Sequence, residues 1–377
     1  MSTDTPTVRI PDDLVPNDGR FGCGPSKVRP EAVEALAQVS TTWMGTSHRQ
    51  APVKQVVASV RNGLTELFSA PDGYEVILGN GGTTAFWDAL SFAMINSTSQ
   101  HLVFGEFSSK FVEVVTAAPH LGAPQVIEAP YGSYAGPQGR PGVDLYALTH
   151  NETSTGVAVP ILRPTGADAS AIVAVDATSA AAGLRVNLAE TDVYYFAPQK
   201  CLASDGGLWL ALCSPSAIER IEHIKSSGRW MPASLDLSIA LENSRKDQTY
   251  NTPSLATLFL MDQQLQWINS NGGLDWSSKR CDESATILYG WAERQSYTTA
   301  FVSDPSLRSH VVATIDLDSK IDAAKLCKVL RANAIVDIEA YRKLGRNQIR
   351  VALFPAIEPT DISALCACIE YVVGTLS

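Results

Sequence analysis

Apolar residues follow two alternating patterns along the chain. Short apolar runs, typical of buried strands, alternate with longer segments in which apolar residues recur at the spacing of one helix face. The short runs predict strands at 75–78, 102–104, 143–149, 171–175, 193–196 and 208–213. The longer segments predict helices, for example at 83–95 and 214–225. This alternation is typical of an α/β fold with a mainly parallel sheet covered by helices.

The pattern changes towards the end of the chain. Two long helices are predicted from Ser254 to about Arg294, with a break at Asn271-Gly272-Gly273. The segments that follow predict the order strand, helix, strand, strand, helix, at 310–315, 323–332, 335–338, 348–351 and 359–373. We therefore expect a large domain over 21–270 and a smaller α+β domain over 271–377, joined by an extended segment at 1–20.

The charge balance argues against some classes of partner. The chain of 377 residues has 29 Lys and Arg against 39 Asp and Glu, a net charge of -10, and its basic residues are scattered. Such a chain would repel nucleic acid and anionic membranes, so small-molecule substrates are expected. The N-terminal sequence lacks a signal-like apolar stretch, and we expect a cytoplasmic protein. The cysteines have no metal-site spacing, so reduced thiols and no metal site are expected.

A glycine-rich turn lies between a predicted strand and a predicted helix, at Gly79-Asn80-Gly81-Gly82-Thr83-Thr84. Glycines let a phosphate approach the backbone, and the free amides of the first helical turn can donate to its oxygens. The turn lacks the third glycine of a dinucleotide-binding fingerprint and the Gly-Lys pair of a P-loop. A phosphate site and a simple capped turn are equally good interpretations of this segment alone.

Two further positions suggest cofactor chemistry. Asp176 ends the buried run 172–175, at the carboxyl edge where open α/β sheets bind ligands. A carboxylate there can keep a pyridine nitrogen protonated, as pyridoxal phosphate requires, although it can also cap a helix. Lys200 lies in a short loop between two strands and can supply an amine that bonds to an aldehyde, although a surface lysine is the alternative. The order of all three signals favours a pyridoxal phosphate enzyme.

Longer segments extend this interpretation to a family. The chain resembles the phosphoserine aminotransferases of aminotransferase class V, in the form with a Thr-Thr glycine loop. The resemblance rests on FGCGPSKVRPEAV, GTSHRQAP, GNGGTTAFWDA, HNETSTG, VDATSAAAG, APQKCLASDGGLWL, YNTPS and YRKLGRNQIRVALFP. It implies the fold of type I pyridoxal phosphate-dependent transferases, similar to aspartate aminotransferase, with a large domain built on a mainly parallel seven-stranded sheet and a small C-terminal α+β domain. It also implies a homodimer with shared active sites.

The resemblance implies roles for individual residues. Lys200 matches the lysine that bonds to pyridoxal 5'-phosphate, and Asp176 the partner of its ring nitrogen. The other matches to cofactor contacts are Gly82, Thr83 and Gln199 at the phosphate, Thr153 at the ring hydroxyl, Phe107 stacked on the ring, and Asn251 and Thr252 from the partner subunit. The matches to substrate contacts are His48, Arg49, Arg342 and Arg350, whose guanidinium groups suit carboxylates and phosphates.

Some positions depart from the family pattern. Thr83 or Thr84 stands where many members have an arginine that touches the substrate phosphate, and Tyr341 stands where a histidine often precedes the arginine. The spacing from Arg342 to Arg350 is also longer than usual, with Arg346 available between them. The assignment of the substrate arginines is therefore open to this alternative.

The implied reaction is reversible transamination between glutamate and 3-phosphohydroxypyruvate, giving 2-oxoglutarate and phosphoserine for serine biosynthesis. Action on 4-phosphohydroxythreonine in pyridoxine biosynthesis is left open. The alternatives are another class V enzyme, such as an alanine or serine–glyoxylate aminotransferase or a cysteine desulfurase, and a cofactor-free interaction protein. Intact Lys200 and Asp176 argue against the last of these.

Overall fold

The computed structural model of the protein describes residues 8–376. The helices are α1 (Pro30–Trp43), α2 (Ala51–Leu67), α3 (Gly82–Ala93), α4 (Glu106–Ala117), α5 (Pro215–Ser226), α6 (Leu237–Ser244), α7 (Leu255–Ser270), α8 (Gly273–Arg294), α9 (Ala323–Ala332) and α10 (Pro359–Leu376). The strands are β1 (Glu75–Asn80), β2 (Ser99–Val103), β3 (Gln125–Glu128), β4 (Leu145–Thr149), β5 (Asn151–Glu152), β6 (Val157–Ala158), β7 (Ile172–Asp176), β8 (Val193–Phe196), β9 (Leu208–Cys213), β10 (Thr298–Ala300), β11 (Val312–Leu317) and β12 (Gln348–Ala352).

The large sheet has seven strands in the order β1-β9-β8-β7-β4-β2-β3. Strands β3, β2, β4, β7 and β8 run parallel, and β9 pairs antiparallel with both β8 and β1. This sheet confirms the predicted α/β pattern, and the predicted strands 193–196 and 208–213 match β8 and β9 residue for residue.

Both faces of the large sheet are buried along its central strands. Along β9, Leu208, Leu210 and Leu212 pack with α2 and α7, while Trp209 and Ala211 pack with helices on the opposite face, including α3, α5 and α6. The alternation follows from the strand geometry, which turns successive side chains to opposite faces. Each fully buried leucine stabilises the fold by about 1.5–3 kcal/mol.

The second sheet is small and antiparallel, with the order β10-β11-β12. The prediction of a strand at 335–338 is wrong, because this segment makes a single isolated bridge, between Val336 and Arg20. Ala334 and Asp337 have φ angles of 62° and 65°, which are incompatible with an extended strand. The third strand is β10, so the order after α8 is strand, strand, helix, strand, helix.

The first described residues run along the small sheet and its helices. The amide of Ile10 donates to Oδ1 of Asn333 at 3.0 Å, and the amide of Val336 donates to the carbonyl of Gly19 at 2.8 Å. Further on, the amide of Ala352 in β12 donates to the carbonyl of Phe21 at 3.0 Å. Residues 1–7 of the expected joining segment lie outside the described residues, and the domain boundary at 270 stays a prediction.

None of the helices within residues 8–376 has the length and apolar character needed to cross a lipid bilayer.

Candidate active site

A cavity of about 260 Å³ opens at the carboxyl ends of β4 and β7 and at the loop after β8. We call it the central cavity. Six residues predicted from sequence as cofactor contacts line it: Thr83, Phe107, Thr153, Asp176, Gln199 and Lys200. Six further residues complete the lining: Gly24, Thr84, Trp87, Thr149, Asn151 and Thr178. The carboxyl ends of parallel strands thus bring together side chains that are far apart in sequence.

Lys200 is held from both its backbone and its side chain. Its carbonyl accepts a hydrogen bond from Oγ of Ser26 at 2.6 Å, and its Nζ donates to the carbonyl of Cys23. Burial lowers the pKa of the Lys200 amine to about 8, and the Arg350 guanidinium acts in the same direction. A lowered pKa leaves more of the amine neutral at neutral pH, which is the form that attacks carbonyl groups.

Gly24 makes room for this amine. Its φ angle of +136° is in a region that other residues rarely adopt, and an added Cβ would lie 2.1 Å from Nζ of Lys200. The glycine is therefore required for the observed position of the Lys200 side chain.

Asp176 is the last residue of β7 and is 7% exposed. Its Oδ1 accepts hydrogen bonds from the amide and the hydroxyl of Thr178 at 2.9 and 2.5 Å, and its Oδ2 accepts one from Nε1 of Trp87 at 3.0 Å. Burial raises the pKa of Asp176, and the hydrogen bonds from Thr178 and Trp87 oppose that rise. The carboxylate is therefore solvated by fixed donors and faces the cavity.

The glycine-rich turn leads directly into α3. Gly81 and Gly82 have φ angles of +114° and +69°, so both need the conformational freedom of glycine. The first turn of α3 follows, with Thr83 and Thr84 on the cavity wall. Amide hydrogens at a helix start have no partner within the helix, and together with two hydroxyls they suit an anionic group.

Glu152 fixes the start of α4 beside the cavity. Its buried carboxylate accepts hydrogen bonds from the amides of Phe107 at 3.1 Å and Ser108 at 2.9 Å. Phe107 lies in the first helical turn, and its ring centroid is 5.8 Å from that of Tyr341. The position of the Phe107 ring therefore depends on the buried carboxylate of Glu152. On the neighbouring segment, Oγ1 of Thr153 donates to Oγ of Ser179 at 2.8 Å.

Four predicted residues lie together outside the lining of the central cavity. Nδ1 of His48 lies 3.3 Å from Oγ1 of Thr252, and Oδ1 of Asn251 accepts a hydrogen bond from Nδ2 of Asn80 at 2.7 Å. Burial and the Arg49 cation lower the pKa of His48, whose Nε2 is buried without a hydrogen-bond partner. Arg49 is exposed and makes no ion pair with any residue of the described range 8–376.

The three C-terminal arginines differ in their partners. Nη1 of Arg350 donates to the carbonyl of Thr153 at 3.3 Å, and its Nε is buried without a partner. Arg342 is exposed and has no acidic partner in the described part of the chain. Arg346, in contrast, donates from Nε and Nη2 to the two oxygens of Asp316 at 3.0 and 2.5 Å. It is therefore engaged in an ion pair rather than available for an anion.

Sequence analysis gave no role to Gly24, Trp87 or Thr178. Trp87 follows Thr83 by four positions and therefore shares its helix face, a signal that the helical spacing alone could have supplied. The contact between Gly24 and Lys200 joins distant parts of the chain and leaves no mark in a local pattern.

Comparison with known proteins identifies the family. The family model described as aminotransferase class-V matches residues 136–340. A phosphoserine aminotransferase from Rhodococcus jostii (strain RHA1) is 60% identical over 372 residues, which cover 99% of this chain and 100% of the relative. The chain belongs to the phosphoserine aminotransferase family.

Solved structures of phosphoserine aminotransferases share the fold. The structure from Cytophaga hutchinsonii has a TM-score of 0.87 at 22% identity and covers 96% of this chain and 100% of that one. A pyridoxal phosphate-bound phosphoserine aminotransferase from Trichomonas vaginalis has a TM-score of 0.78 at 18% identity and covers 94% of this chain and 100% of that one. The predicted fold class, that of type I pyridoxal phosphate-dependent transferases, is confirmed.

The chain is an aminotransferase that uses pyridoxal 5'-phosphate, as predicted. The central cavity fits this cofactor. It combines an amine of lowered pKa, a buried carboxylate without a cationic partner among residues 8–376, and a helix start formed by two left-handed glycines. These groups suit an aldehyde, a protonated ring nitrogen and a phosphate respectively.

Proposed function

We propose that the enzyme transfers the amino group of glutamate to 3-phosphohydroxypyruvate, giving 2-oxoglutarate and phosphoserine for serine biosynthesis. The observation that carries the proposal is the meeting of Lys200 and Asp176 in one cavity beside the start of α3. The 60% identical phosphoserine aminotransferase of Rhodococcus jostii supports the choice of substrate. A cytoplasmic location is part of the proposal.

The bound cofactor supplies an electron sink for the negative charge that develops at the substrate α-carbon. Nζ of Lys200 would hold the cofactor covalently. Once the substrate amino group has taken its place, the freed neutral amine would move the proton at the α-carbon. Asp176 accepts the hydrogen bond of the ring nitrogen and keeps that nitrogen charged. Thr83 and Gln199 bind the phosphate together with the backbone at Gly82.

Two residues position the ring in this proposal. Thr153 donates to the ring hydroxyl, and Phe107 covers one face of the ring, where an aromatic side chain excludes water and adds apolar contact. Both line the central cavity, and Glu152 holds the backbone of Phe107 in place.

Substrate anions are assigned to His48, Arg49, Arg342 and Arg350, which we call the outer group. A guanidinium binds a carboxylate or a phosphate through paired hydrogen bonds. Arg350 would bind the α-carboxylate, because it reaches the carbonyl of Thr153 at the cavity wall and its Nε lacks a partner. The other three members would bind the side-chain phosphate or the distal carboxylate of glutamate.

A homodimer is part of the proposal. His48, Arg49, Asn251 and Thr252 lie together beside Asn80 and outside the lining of their own central cavity. A partner subunit placed against this surface would receive these four residues, which include only two of the outer group, at its own cavity. Measurement of the oligomeric state, with activity recovered by mixing an Arg49 variant and a Lys200 variant, tests this arrangement.

A cysteine desulfurase is a poor alternative. Such an enzyme needs a reactive thiolate, whereas all seven cysteines are buried and burial raises the pKa of every one. A substrate panel distinguishes the proposed reaction from transamination of unphosphorylated substrates. The panel compares 3-phosphohydroxypyruvate with hydroxypyruvate and glyoxylate, and it includes 4-phosphohydroxythreonine as the open second substrate.

The decisive variant is Lys200→Ala. We expect turnover to fall by about 10³-fold or more, because both the attachment point and the proton carrier are lost. Borohydride reduction followed by peptide mass spectrometry should place the cofactor on Lys200 in the unaltered enzyme and on no residue in the variant. Attachment at another lysine, or normal turnover by the variant, would refute the assignment.

A further inference from the structure

The carboxylate of Asp176 has a hydrogen-bond partner that the proposed function leaves unused. Both hydrogen bonds from Thr178 end on Oδ1, whereas the one donor to Oδ2 within residues 8–376 is the indole Nε1 of Trp87. Asp176 forms no ion pair in the same range. A buried carboxylate that forms no ion pair depends on such donors, so its orientation about the Cβ–Cγ bond depends on Trp87 as well as on Thr178.

Trp87 is itself firmly held. It is 4% exposed, and its ring stacks on that of Phe111 from α4 with centroids 6.1 Å apart and planes inclined by 16°. It lies on α3 four residues after Thr83, and both side chains face the central cavity. The helix that begins at the glycine-rich turn therefore also carries the donor to Asp176.

We infer that Trp87 is a positioning residue that orients the Asp176 carboxylate towards the ring nitrogen of the cofactor. The inference rests on the proposed function, because that proposal assigns the ring nitrogen to Asp176. A carboxylate oxygen has two acceptor sites, and Trp87 occupies one site of Oδ2. The remaining site is left for the ring N–H, so one rigid helix fixes the groups that bind both ends of the cofactor.

Substitution of Trp87 leaves the charges around Asp176 unchanged. Glu152, Lys200, Tyr194 and Tyr195 interact electrostatically with Asp176. Trp87 carries no charge, and it also interacts with the hydroxyl of Tyr195. Replacing Trp87 therefore removes one donor without changing the net charge around the carboxylate.

The test is Trp87→Phe, assayed first by the affinity of the apoenzyme for pyridoxal phosphate. We expect the dissociation constant to rise by about ten- to hundredfold, the range for one lost hydrogen bond to a charged group. The pH at which the visible absorption of the bound cofactor titrates should rise by about half a unit, because a less firmly held ring proton withdraws less electron density. The KM for glutamate should stay within about threefold, since no substrate contact is removed.

Trp291→Phe is the matched control. Trp291 is also a buried indole that donates to a carboxylate, Oε1 of Glu370 at 2.9 Å, but it lies on α8 away from the central cavity. Trp291→Phe should lose about as much thermal stability as Trp87→Phe, but its affinity for the cofactor should be unchanged. Trp87→His, which retains a ring N–H, should recover part of the affinity that Trp87→Phe loses, and it serves as the test if the Phe variant does not fold.

Asp176→Ala separates the inference from the proposed function. If Trp87 acts through Asp176, adding Trp87→Phe to Asp176→Ala causes no further loss of affinity. Wild-type affinity and titration in Trp87→Phe, with a strong defect in Asp176→Ala, would overturn the inference and leave the proposed function standing. A normal Asp176→Ala enzyme would instead overturn the role of Asp176 in the proposed function.

Discussion

The central cavity and the outer group differ in whether their charged side chains have partners within the fold. In the cavity, Asp176 is buried and Lys200 is half-buried, and hydrogen bonds to neighbouring residues hold both side chains in place. In the outer group, Arg49 and Arg342 are exposed and have no acidic partner in the described residues, and Nε of Arg350 is buried without an acceptor. The cavity is thus preorganised by the fold, whereas the outer group has donors that an anion would satisfy.

Gly24→Ala tests the preorganised region and should have the largest effect of the three changes considered in this comparison. The added Cβ would displace the Lys200 amine, and a misplacement of about 1 Å costs roughly 10²-fold in rate. Stopped-flow measurement of covalent cofactor attachment checks this. Gly142→Ala is the control, because Gly142 also has a positive φ but an added Cβ there meets no atom within 4 Å. Equal rates in both variants would contradict the role given to Gly24.

Arg49→Ala tests the outer group. We expect the KM for 3-phosphohydroxypyruvate to rise by about ten- to hundredfold, the cost of lost hydrogen bonds to a charged group, while cofactor affinity stays unchanged. Arg346→Ala is the matched control, since its guanidinium is already paired with Asp316. If Arg346→Ala raises this KM as much as Arg49→Ala does, the division between paired and unpaired arginines is wrong.

The third test is the pH dependence of cofactor attachment, for which we expect the smallest effect. The pKa of Lys200 is lowered to about 8, and the neutral amine reacts. Attachment by the apoenzyme should therefore accelerate by about tenfold from pH 7 to pH 9 and then level off. A rate that keeps climbing above pH 9 would indicate a lysine with an ordinary pKa.

The same contrast explains what the sequence could predict. Asp176 and Lys200 follow apolar strands, so the strand pattern alone brought them to one sheet edge. His48 and Thr252 are 204 positions apart, and their contact follows from the packing of distant segments rather than from any local spacing. For these residues the family resemblance supplied the roles that periodicity could not.

Errors in the predicted fold have a local cause. Residues 335–338 are apolar enough to predict a strand, but the left-handed backbone at Ala334 and Asp337 breaks it. Aspartate adopts this conformation more often than most residues but alanine does not, so Asp337 alone is only a weak signal for the break. The short strand β10 escaped prediction because Thr298–Ala300 is too brief for a period to be recognised.

The first described residues connect two parts of the molecule mechanically. Near Phe21 the backbone pairs with β12 of the small sheet, and a few residues later Cys23 and Ser26 bond to Lys200. Only a few residues separate the two sets of contacts, so a displacement of the small sheet would be passed along this segment to the residues that hold the reactive amine. This segment is a short covalent link, through which the position of the Lys200 amine depends on the position of the small sheet.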